Sequence, residues 1–323
     1  MNAGRAFAIA WRVFRVLPGS LGRGLFNLVA VVAWLGRGSG VRQLEANLAR
    51  LRPDASRGQL RRLSLAGMRS YMRYYCEAFQ LPGMSGEQID ARVRVVGLAP
   101  IRAQAEARRS VVMALTHSGN WDLAGAWCAR NVFPLVTVAE RLKPEELYRE
   151  FVGFRESLGI TVIPLDPGGG VFRRLLGEAR TGVVGVPLLA DRDLSAGGVD
   201  VAFAGHRMRV ASGPAALSLA SGTELHPAAL YYERLQGPRR RAARSPWGLV
   251  IEFGGKVAAP DGVPRGDAVA ETTQAWVSWI ERSILSHPED WHMLQKVFVA
   301  DLDPDRQAGA SSEAARGLAG GAA

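Results

Sequence analysis

The stretch Val111-Val-Met-Ala-Leu-Thr-His117-Ser-Gly-Asn-Trp-Asp122-Leu-Ala-Gly-Ala-Trp127 places a polar turn between two apolar segments. The apolar run Val111–Leu115 predicts a buried strand, and residues 123–129 predict a helix that packs back against it. Asn120 is placed to cap this helix, because its side chain can accept a hydrogen bond from an amide of the first turn. We expect the strand, turn and helix to bring His117 and Asp122 together.

His117 and Asp122 have the chemistry of a general base and its orienting carboxylate. An imidazole with a pKa near neutrality accepts a proton from a hydroxyl, while a carboxylate orients the other ring nitrogen and stabilises the imidazolium. A histidine after a strand also serves as a hydrogen-bonded structural residue, and the spacing alone does not separate the two roles. The residues therefore support a hypothesis of hydroxyl activation beside a structural alternative.

The composition is typical of a globular protein with a full hydrophobic core: of 323 residues, 48% are hydrophobic and 22% are charged. The two cysteines, Cys76 and Cys128, give no disulfide framework, which favours a reducing compartment. Neither the cysteines nor the five histidines have the spacing of metal ligands. We therefore expect no metal and no cofactor.

The basic charge is concentrated before Tyr75, where the acidic residues are Glu45 and Asp54. Residues 5–35 alternate apolar stretches with arginines, and no apolar run there reaches the roughly 20 residues of a membrane-spanning helix. Aromatic residues interleaved with arginines suit a helix that lies in the interface of an anionic membrane, although a core helix with a solvated basic face has the same pattern. We predict amphipathic membrane-associating helices over residues 1–40. No secretory signal or nucleic-acid-binding motif is present, so nucleic acid is not an expected partner.

Strands and helices alternate along the rest of the chain, which predicts an α/β fold with a central mixed β-sheet flanked by helices. This domain is expected to span residues 41–303 and to be followed by a disordered tail over residues 304–323. Residues 237–244 are interpreted as a basic hairpin loop. The further predicted strands are 133–139, Ile160–Leu165, 182–189, 226–232 and Trp247–Phe253, and the helices after residue 130 include 144–158, 172–179 and 268–285.

Several ordered blocks of sequence resemble a known enzyme family. The block HSGNWD (117–122) resembles the His-x-x-x-x-Asp box of glycerolipid and lipid A acyltransferases. Together with VAERLKPEELYREFVGFRESLG, LLADRDL, SGPAALSLASGTEL and HPEDWHMLQKVF, it resembles the actinobacterial phosphatidylinositol mannoside acyltransferases, with blocks from roughly Arg12 to Val299. One departure within the broader superfamily is Met293, where lipid A acyltransferases tend to carry tryptophan.

The resemblance implies a membrane-associated acyltransferase that moves a fatty acyl group, expected to be palmitoyl, from acyl-coenzyme A to a mannose hydroxyl of phosphatidylinositol mannoside. It implies peripheral attachment to the cytoplasmic face of the inner (plasma) membrane, with acyl-coenzyme A as a co-substrate. It places His117 as the general base and Asp122 as its orienting or supporting carboxylate. Backbone amides near Gly119 and Asn120 are candidates for stabilising the oxyanion.

The same resemblance matches Glu140, Arg155 and Asp191 to further polar positions of the family's active-site groove, and we assign these three residues and Arg192 to substrate binding. Glu140 and Asp191 lie at the carboxyl ends of predicted strands, where ligands of such sheets gather. They are hypothesised to accept hydrogen bonds from mannose hydroxyls or to support His117. Arg155 is hypothesised to pair with a carboxylate. Arg192 is interpreted as a phosphate ligand or as a cover for the sheet edge.

Three alternatives to this function stay open at the level of sequence. In the first, the enzyme acylates another glycolipid. In the second, water replaces the acceptor and the protein is an acyl-coenzyme A thioesterase. In the third, the chain is a non-catalytic lipid-binding protein. Ser118 lacks the Gly-x-Ser-x-Gly context of a nucleophilic serine, so direct transfer is preferred to a covalent serine mechanism.

Overall fold

The computed structural model of the chain describes residues 19–140, 145–165, 170–193 and 197–302, without the side chains of Glu140, Glu146, Leu147 and Arg265. The helices are α1 (Gly19–Leu35), α2 (Ser39–Leu51), α3 (Arg57–Gln80), α4 (Gly86–Arg92), α5 (Ala99–Glu106), α6 (Trp121–Asn131), α7 (Glu145–Ser157), α8 (Val171–Thr181), α9 (Gly213–Ser221), α10 (Gly237–Ala243) and α11 (Arg265–Ser286). The strands are β1 (Val93–Val96), β2 (Val111–Leu115), β3 (Leu135–Glu140), β4 (Ile160–Leu165), β5 (Gly185–Leu189), β6 (Val199–Phe203), β7 (His206–Val210), β8 (Glu224–Arg234) and β9 (Trp247–Phe253).

Seven strands form one mixed sheet in the order β1-β9-β8-β2-β5-β3-β4. Strand β8 runs antiparallel to β9, and every other neighbouring pair of this sheet is parallel. Strands β6 and β7 form a separate hairpin. The predicted α/β fold with a central mixed sheet is confirmed.

Strand β2 lies near the middle of the sheet and is buried at all five positions. Because side chains of a strand point alternately to its two faces, Val112 and Ala114 enter one core while Met113 and Leu115 enter the other. Helices α8, α9 and α11 contact strands on the first face, and α6 covers the second. Burial on both faces explains why this strand reads as a continuous apolar run instead of an alternating one.

Helix α1 carries an unusual exposed apolar face. Six of the eight large hydrophobic side chains exposed in the described residues belong to it: Leu21, Leu25, Leu28, Val29, Val32 and Leu35. The opposite face packs on α3 through the buried Gly22 and Ala30. Within the described ranges no single helix has the length and apolarity of a membrane span, although α1 and α2, bent by 85° at their junction, pass that test as a pair.

The structure corrects one local prediction and leaves others untested. The basic segment predicted as a hairpin loop forms the short helix α10, because its arginines and alanines favour helix and Pro238 lies in the first turn. The predicted boundaries at residues 40, 303 and 304 stay predictions. Residues 1–18 of the predicted membrane segment and the predicted tail lie outside the described residues.

Candidate active site

Parallel pairing of β2 with β5 places His117 beside Asp191. Leu115, the last residue of β2, is in register with Leu189, the last residue of β5. His117 and Asp191 each follow two residues after these positions, so both lie at the carboxyl edge of the sheet, where ligands of such sheets bind.

His117 and Asp191 form a hydrogen-bonded pair. The imidazole Nδ1 lies 2.5 Å from Asp191 Oδ1, and the backbone amide of His117 donates to Oδ2 of the same carboxylate at 2.9 Å. With Nδ1–H facing the carboxylate, Nε2 is left as the acceptor of the neutral ring. No hydrogen bond to Nε2 is found among the described residues, so it is available to a substrate hydroxyl.

Asp191 is held in its ionised form by its donors. The residue is only 1% exposed, and this burial acts to raise its pKa. The charge of His117, the hydrogen bond from its ring and the hydrogen bond from the Trp291 indole outweigh burial, and the pKa of Asp191 lies below its ordinary value. The His117 side chain is 26% exposed and forms the solvent-facing member of the pair.

Asp122 has other partners, which corrects the expectation that it orients the His117 ring, while its alternative role as a supporting carboxylate stays a prediction. Tyr74 donates its hydroxyl to Asp122 Oδ2 at 2.8 Å, and Arg155 Nε donates to Oδ1 at 2.8 Å. Burial and the charge of Asp122 raise the pKa of Tyr74, so its hydroxyl keeps the proton that it donates. In the first turn of α6, Asp122 faces α3 and α7, whereas the carboxylate on the His117 ring is Asp191.

Arg155 joins this buried network as the sequence suggested, by pairing a carboxylate. Burial acts to lower the pKa of its guanidinium, but the charge of Asp122 and the hydrogen bond to that carboxylate outweigh burial, so the net pKa is raised. The guanidinium also lies 4.5 Å from the ring centroid of Phe151. The ion pair ties α6 to α7, and it lies along the wall of the cavity described below.

The turn after β2 is fixed by two separate parts of the chain. Asn120 caps α6 by accepting from the Leu123 amide at 2.9 Å, as predicted, and its Nδ2 donates to the buried Glu77 at 2.9 Å. The Gly119 amide donates to the Asp290 carbonyl at 2.9 Å. This amide is therefore engaged, which removes Gly119 from the predicted oxyanion donors.

Gly119 itself is required by its backbone and by its neighbours. Its φ is +58°, and a Cβ there would meet the backbone of Leu230 at about 3.0 Å. The close approach of β8 thus allows only glycine at this position of the turn.

A cavity of about 600 Å³ opens beside His117 and extends between the sheet and α6. Aromatic and polar side chains surround the His117 end, including Tyr71, Trp121, Arg192 and His292. The Trp121 ring meets the imidazole edge to face, with centroids 5.6 Å apart. The apolar lining further in includes Met113, Leu115, Gly125, Cys128, Leu135 and Ile160.

The remaining predicted site residues fall into two groups. Arg192 lines the cavity next to Asp191. Glu140 ends β3, but its side chain lies outside the described part of the structure.

His292 is a site residue that the sequence did not single out. Its ring is 4% exposed, its Nε2 lies 3.0 Å from Ser70 Oγ, and its Nδ1 has no partner among the described residues. Burial, followed by the charges of Arg73 and His117, lowers the pKa of His292 to about 3, so the ring is neutral. In the described ranges no three His, Cys, Asp or Glu side chains converge as metal ligands would.

The family model and the sequence relatives agree on one class of enzyme. A family model described as "Bacterial lipid A biosynthesis acyltransferase" matches residues 5–299. A phosphatidylinositol mannoside acyltransferase of Mycolicibacterium smegmatis is 38% identical over 305 residues, covering 94% of this chain and 93% of that relative. One from Mycobacterium tuberculosis is 37% identical, covering 94% and 90%. Among solved structures, the 1-acyl-sn-glycerophosphate acyltransferase PlsC of Thermotoga maritima matches with a TM-score of 0.39 and 13% identity, over 83% of this chain and 96% of that one.

Proposed function

Because the chain belongs to the bacterial lipid A biosynthesis acyltransferase family, we propose that it transfers a fatty acyl group from acyl-coenzyme A to a mannose hydroxyl of phosphatidylinositol mannoside. The acceptor is that of the relatives from Mycolicibacterium smegmatis and Mycobacterium tuberculosis, which match nearly the whole chain. The observation that carries the proposal is the His117 imidazole, hydrogen-bonded to the buried Asp191 carboxylate at the end of a large, mostly apolar cavity.

The geometry supports His117 as the general base of a direct transfer. Its Nε2 takes the proton of the mannose hydroxyl as the hydroxyl oxygen attacks the thioester carbonyl carbon. Asp191 stabilises the imidazolium that forms, since its carboxylate already accepts the Nδ1 proton. Collapse of the tetrahedral intermediate breaks the carbon–sulfur bond, and the imidazolium returns its proton to the departing thiolate.

The apolar part of the cavity suits the acyl chain. Met113 lies four residues before His117, a distance of about 13 Å along an extended strand. A chain bound with its thioester at His117 would therefore bury its first carbons between β2 and α6, against Leu115 and Gly125. We propose palmitoyl as the transferred acyl group. The test is to compare the rate of transfer from palmitoyl-coenzyme A with the rates from shorter coenzyme A esters.

We place the enzyme peripherally on the cytoplasmic face of the plasma membrane. The exposed face of α1 supports this, because its apolar side chains recur with helical spacing and can enter the interface of a bilayer. Leu25→Asp with Val32→Asp should then reduce co-sedimentation with phosphatidylglycerol vesicles, whereas Phe172→Asp on α8, another exposed apolar position, should leave it unchanged.

The test of the catalytic proposal is release of free coenzyme A from palmitoyl-coenzyme A, with and without phosphatidylinositol mannoside. His117→Ala is compared with His206→Ala, an exposed histidine on β7, after both variants are shown to be folded. We expect acceptor-dependent release that disappears only in His117→Ala.

Other outcomes would identify the alternatives. Release that does not depend on the acceptor would indicate a thioesterase. Release that depends on a different glycolipid would identify that glycolipid as the acceptor. Binding of lipid without release under any condition would refute an enzyme acting on these substrates.

A further inference from the structure

The carboxylate that holds His117 has a third donor, which comes from the far end of the chain. Trp291 donates its indole Nε1–H to Asp191 Oδ2 at 2.9 Å. The same oxygen accepts from the His117 amide, while Oδ1 faces the His117 ring. Both oxygens of the buried carboxylate are therefore engaged, and the carboxylate plane is fixed relative to the imidazole.

Trp291 is itself held without freedom to turn. It is 0% exposed and packs between the rings of Phe203 and Phe298, with centroid distances of 5.6 and 6.4 Å. An indole so enclosed offers its N–H in one direction only, which is the direction of Asp191.

The segment that carries Trp291 also forms hydrogen bonds with the backbone of the turn after β2. Gly119 donates its amide to the Asp290 carbonyl, and the His292 amide donates to the His117 carbonyl at 2.7 Å. The Asp290 side chain anchors the segment, because it accepts from Ser70 at 2.5 Å and from the Tyr232 amide at 2.8 Å. Residues 290–292 thus contact both members of the pair, through the backbone of His117 and the carboxylate of Asp191.

We propose that Trp291 is a positioning residue that acts through Asp191 on His117, with its indole N–H as the donor that sets the orientation and charge of the carboxylate. The role in catalysis rests on the proposed function, whereas the effect on the imidazole does not. Trp291 touches neither substrate nor reacting atoms; it determines how strongly the carboxylate attracts the proton on His117.

The physical consequence is a change in the proton affinity of His117. A donor on Oδ2 draws negative charge away from Oδ1, so removing the indole N–H leaves a more basic carboxylate against the ring. The His117 amide still holds Oδ2 in place, and the imidazolium becomes more favourable. The other titratable and charged groups that line the cavity with the ring are not altered by this substitution: Tyr71, Tyr74 and Tyr75 of α3, Asp122 of α6, Arg155 of α7, Arg192 after β5, and His292.

The chain offers a matched control in Trp276. This residue of α11 is also 0% exposed and belongs to the same core as Trp291, but its indole Nε1 has no hydrogen-bond acceptor among the described residues. Trp291→Phe and Trp276→Phe therefore remove similar buried area, and only the first removes a hydrogen bond. A second version of the test places β-(3-benzothienyl)alanine at position 291, which keeps the shape of the indole and replaces the N–H with sulfur.

The first measurement is the titration of His117 by nuclear magnetic resonance on histidine-labelled protein, with the signal assigned by its loss in His117→Ala. We expect the pKa of His117 to rise by about half a unit to one unit in both position-291 variants and to stay unchanged in Trp276→Phe. An unchanged or lowered pKa in the benzothienyl protein would overturn the proposal, whatever the enzyme's substrate.

The second measurement is the pH dependence of kcat/KM for acceptor-dependent coenzyme A release. Because His117 must be neutral to act as base, the acid limb of this pH profile reports its pKa. That limb should move to higher pH by the same amount in the position-291 variants. A shifted titration with no transferase activity in the wild-type protein would refute the proposed function and leave the Trp291 inference standing. If the position-291 variants had wild-type kcat/KM and an unshifted acid limb, the inference would be overturned.

Discussion

Replacing Asp191 with asparagine is the sharpest perturbation of the site, because it changes the charge of the His117 partner while keeping its shape. The asparagine oxygen can face the His117 ring only if its NH₂ group faces the two N–H donors of Trp291 and the His117 amide. If the amide turns over, its NH₂ group faces Nδ1, which must then be unprotonated. The proton moves to Nε2, where it blocks the base.

The expected loss follows from these two choices. Hydrogen bonds to a charged group contribute roughly 1.5–3 kcal/mol each, which corresponds to about a 10- to 100-fold effect if one is lost in the transition state. A wrong imidazole tautomer costs about 10⁴-fold in kcat in the serine protease triad. We therefore expect kcat of Asp191→Asn to fall by roughly 10²- to 10⁴-fold.

The assay is the rate of free thiol release at saturating palmitoyl-coenzyme A and acceptor, for folded protein of matched concentration. Asp301→Asn is the control, because Asp301 is likewise a carboxylate with a basic partner, Arg50, but lies away from the cavity. A loss of less than about tenfold in Asp191→Asn would refute the reasoning, since tenfold is smaller than the effect of one charged hydrogen bond.

Three further predictions concern the cavity, the buried ion pair and pH. Gly125→Val should shift acyl preference toward shorter chains, because a Cβ there already lies 2.8 Å from Ile160 Cδ1; an unchanged profile of coenzyme A esters would contradict this. Arg155→Met should lower the unfolding free energy in urea by roughly 3–5 kcal/mol, since it leaves the buried Asp122 charge without its counter-ion, and the double variant with Asp122→Asn should recover part of this loss. Acid should destabilise the fold through His292. Its pKa is lowered from 6.5 to about 3 by burial, so below its ordinary pKa the unfolded chain takes up a proton that the folded chain refuses. The contribution approaches about 1.4 kcal/mol per pH unit over that window, and His292→Gln should flatten the pH dependence of urea unfolding there.

Family membership could be read from the sequence because it depends on ordered blocks of residues, and the comparisons confirm that resemblance. The strand at Val111–Leu115, the Asn120 cap and the mixed α/β sheet were also predictable. Each depends on short-range rules: apolar runs bounded by turns, side-chain capping, and alternation of strands with helices.

The segment 237–244 shows where such rules fail even locally. Its arginines gave no apolar period to indicate a helix, and its position between two antiparallel strands favoured a hairpin loop. Contacts with α4 and hydrogen bonds from Arg239 to the Ala91 and Arg92 carbonyls accompany the helix instead. None of these partners is near in sequence.

What the sequence by itself determined is the acyltransferase family, and it singled out His117 as the candidate base, since His117 lies in a recognisable block at the end of a predictable strand. Only the tertiary structure decided which groups hold that base. Asp191 is 74 residues from His117, and Trp291 is a further 100 residues from Asp191. Sequence spacing favoured Asp122 because it is near along the chain, but parallel strand register and a closing segment bring distant donors to one carboxylate. Hydrogen bonds depend on distance and direction in space, and those are set by the packed sheet.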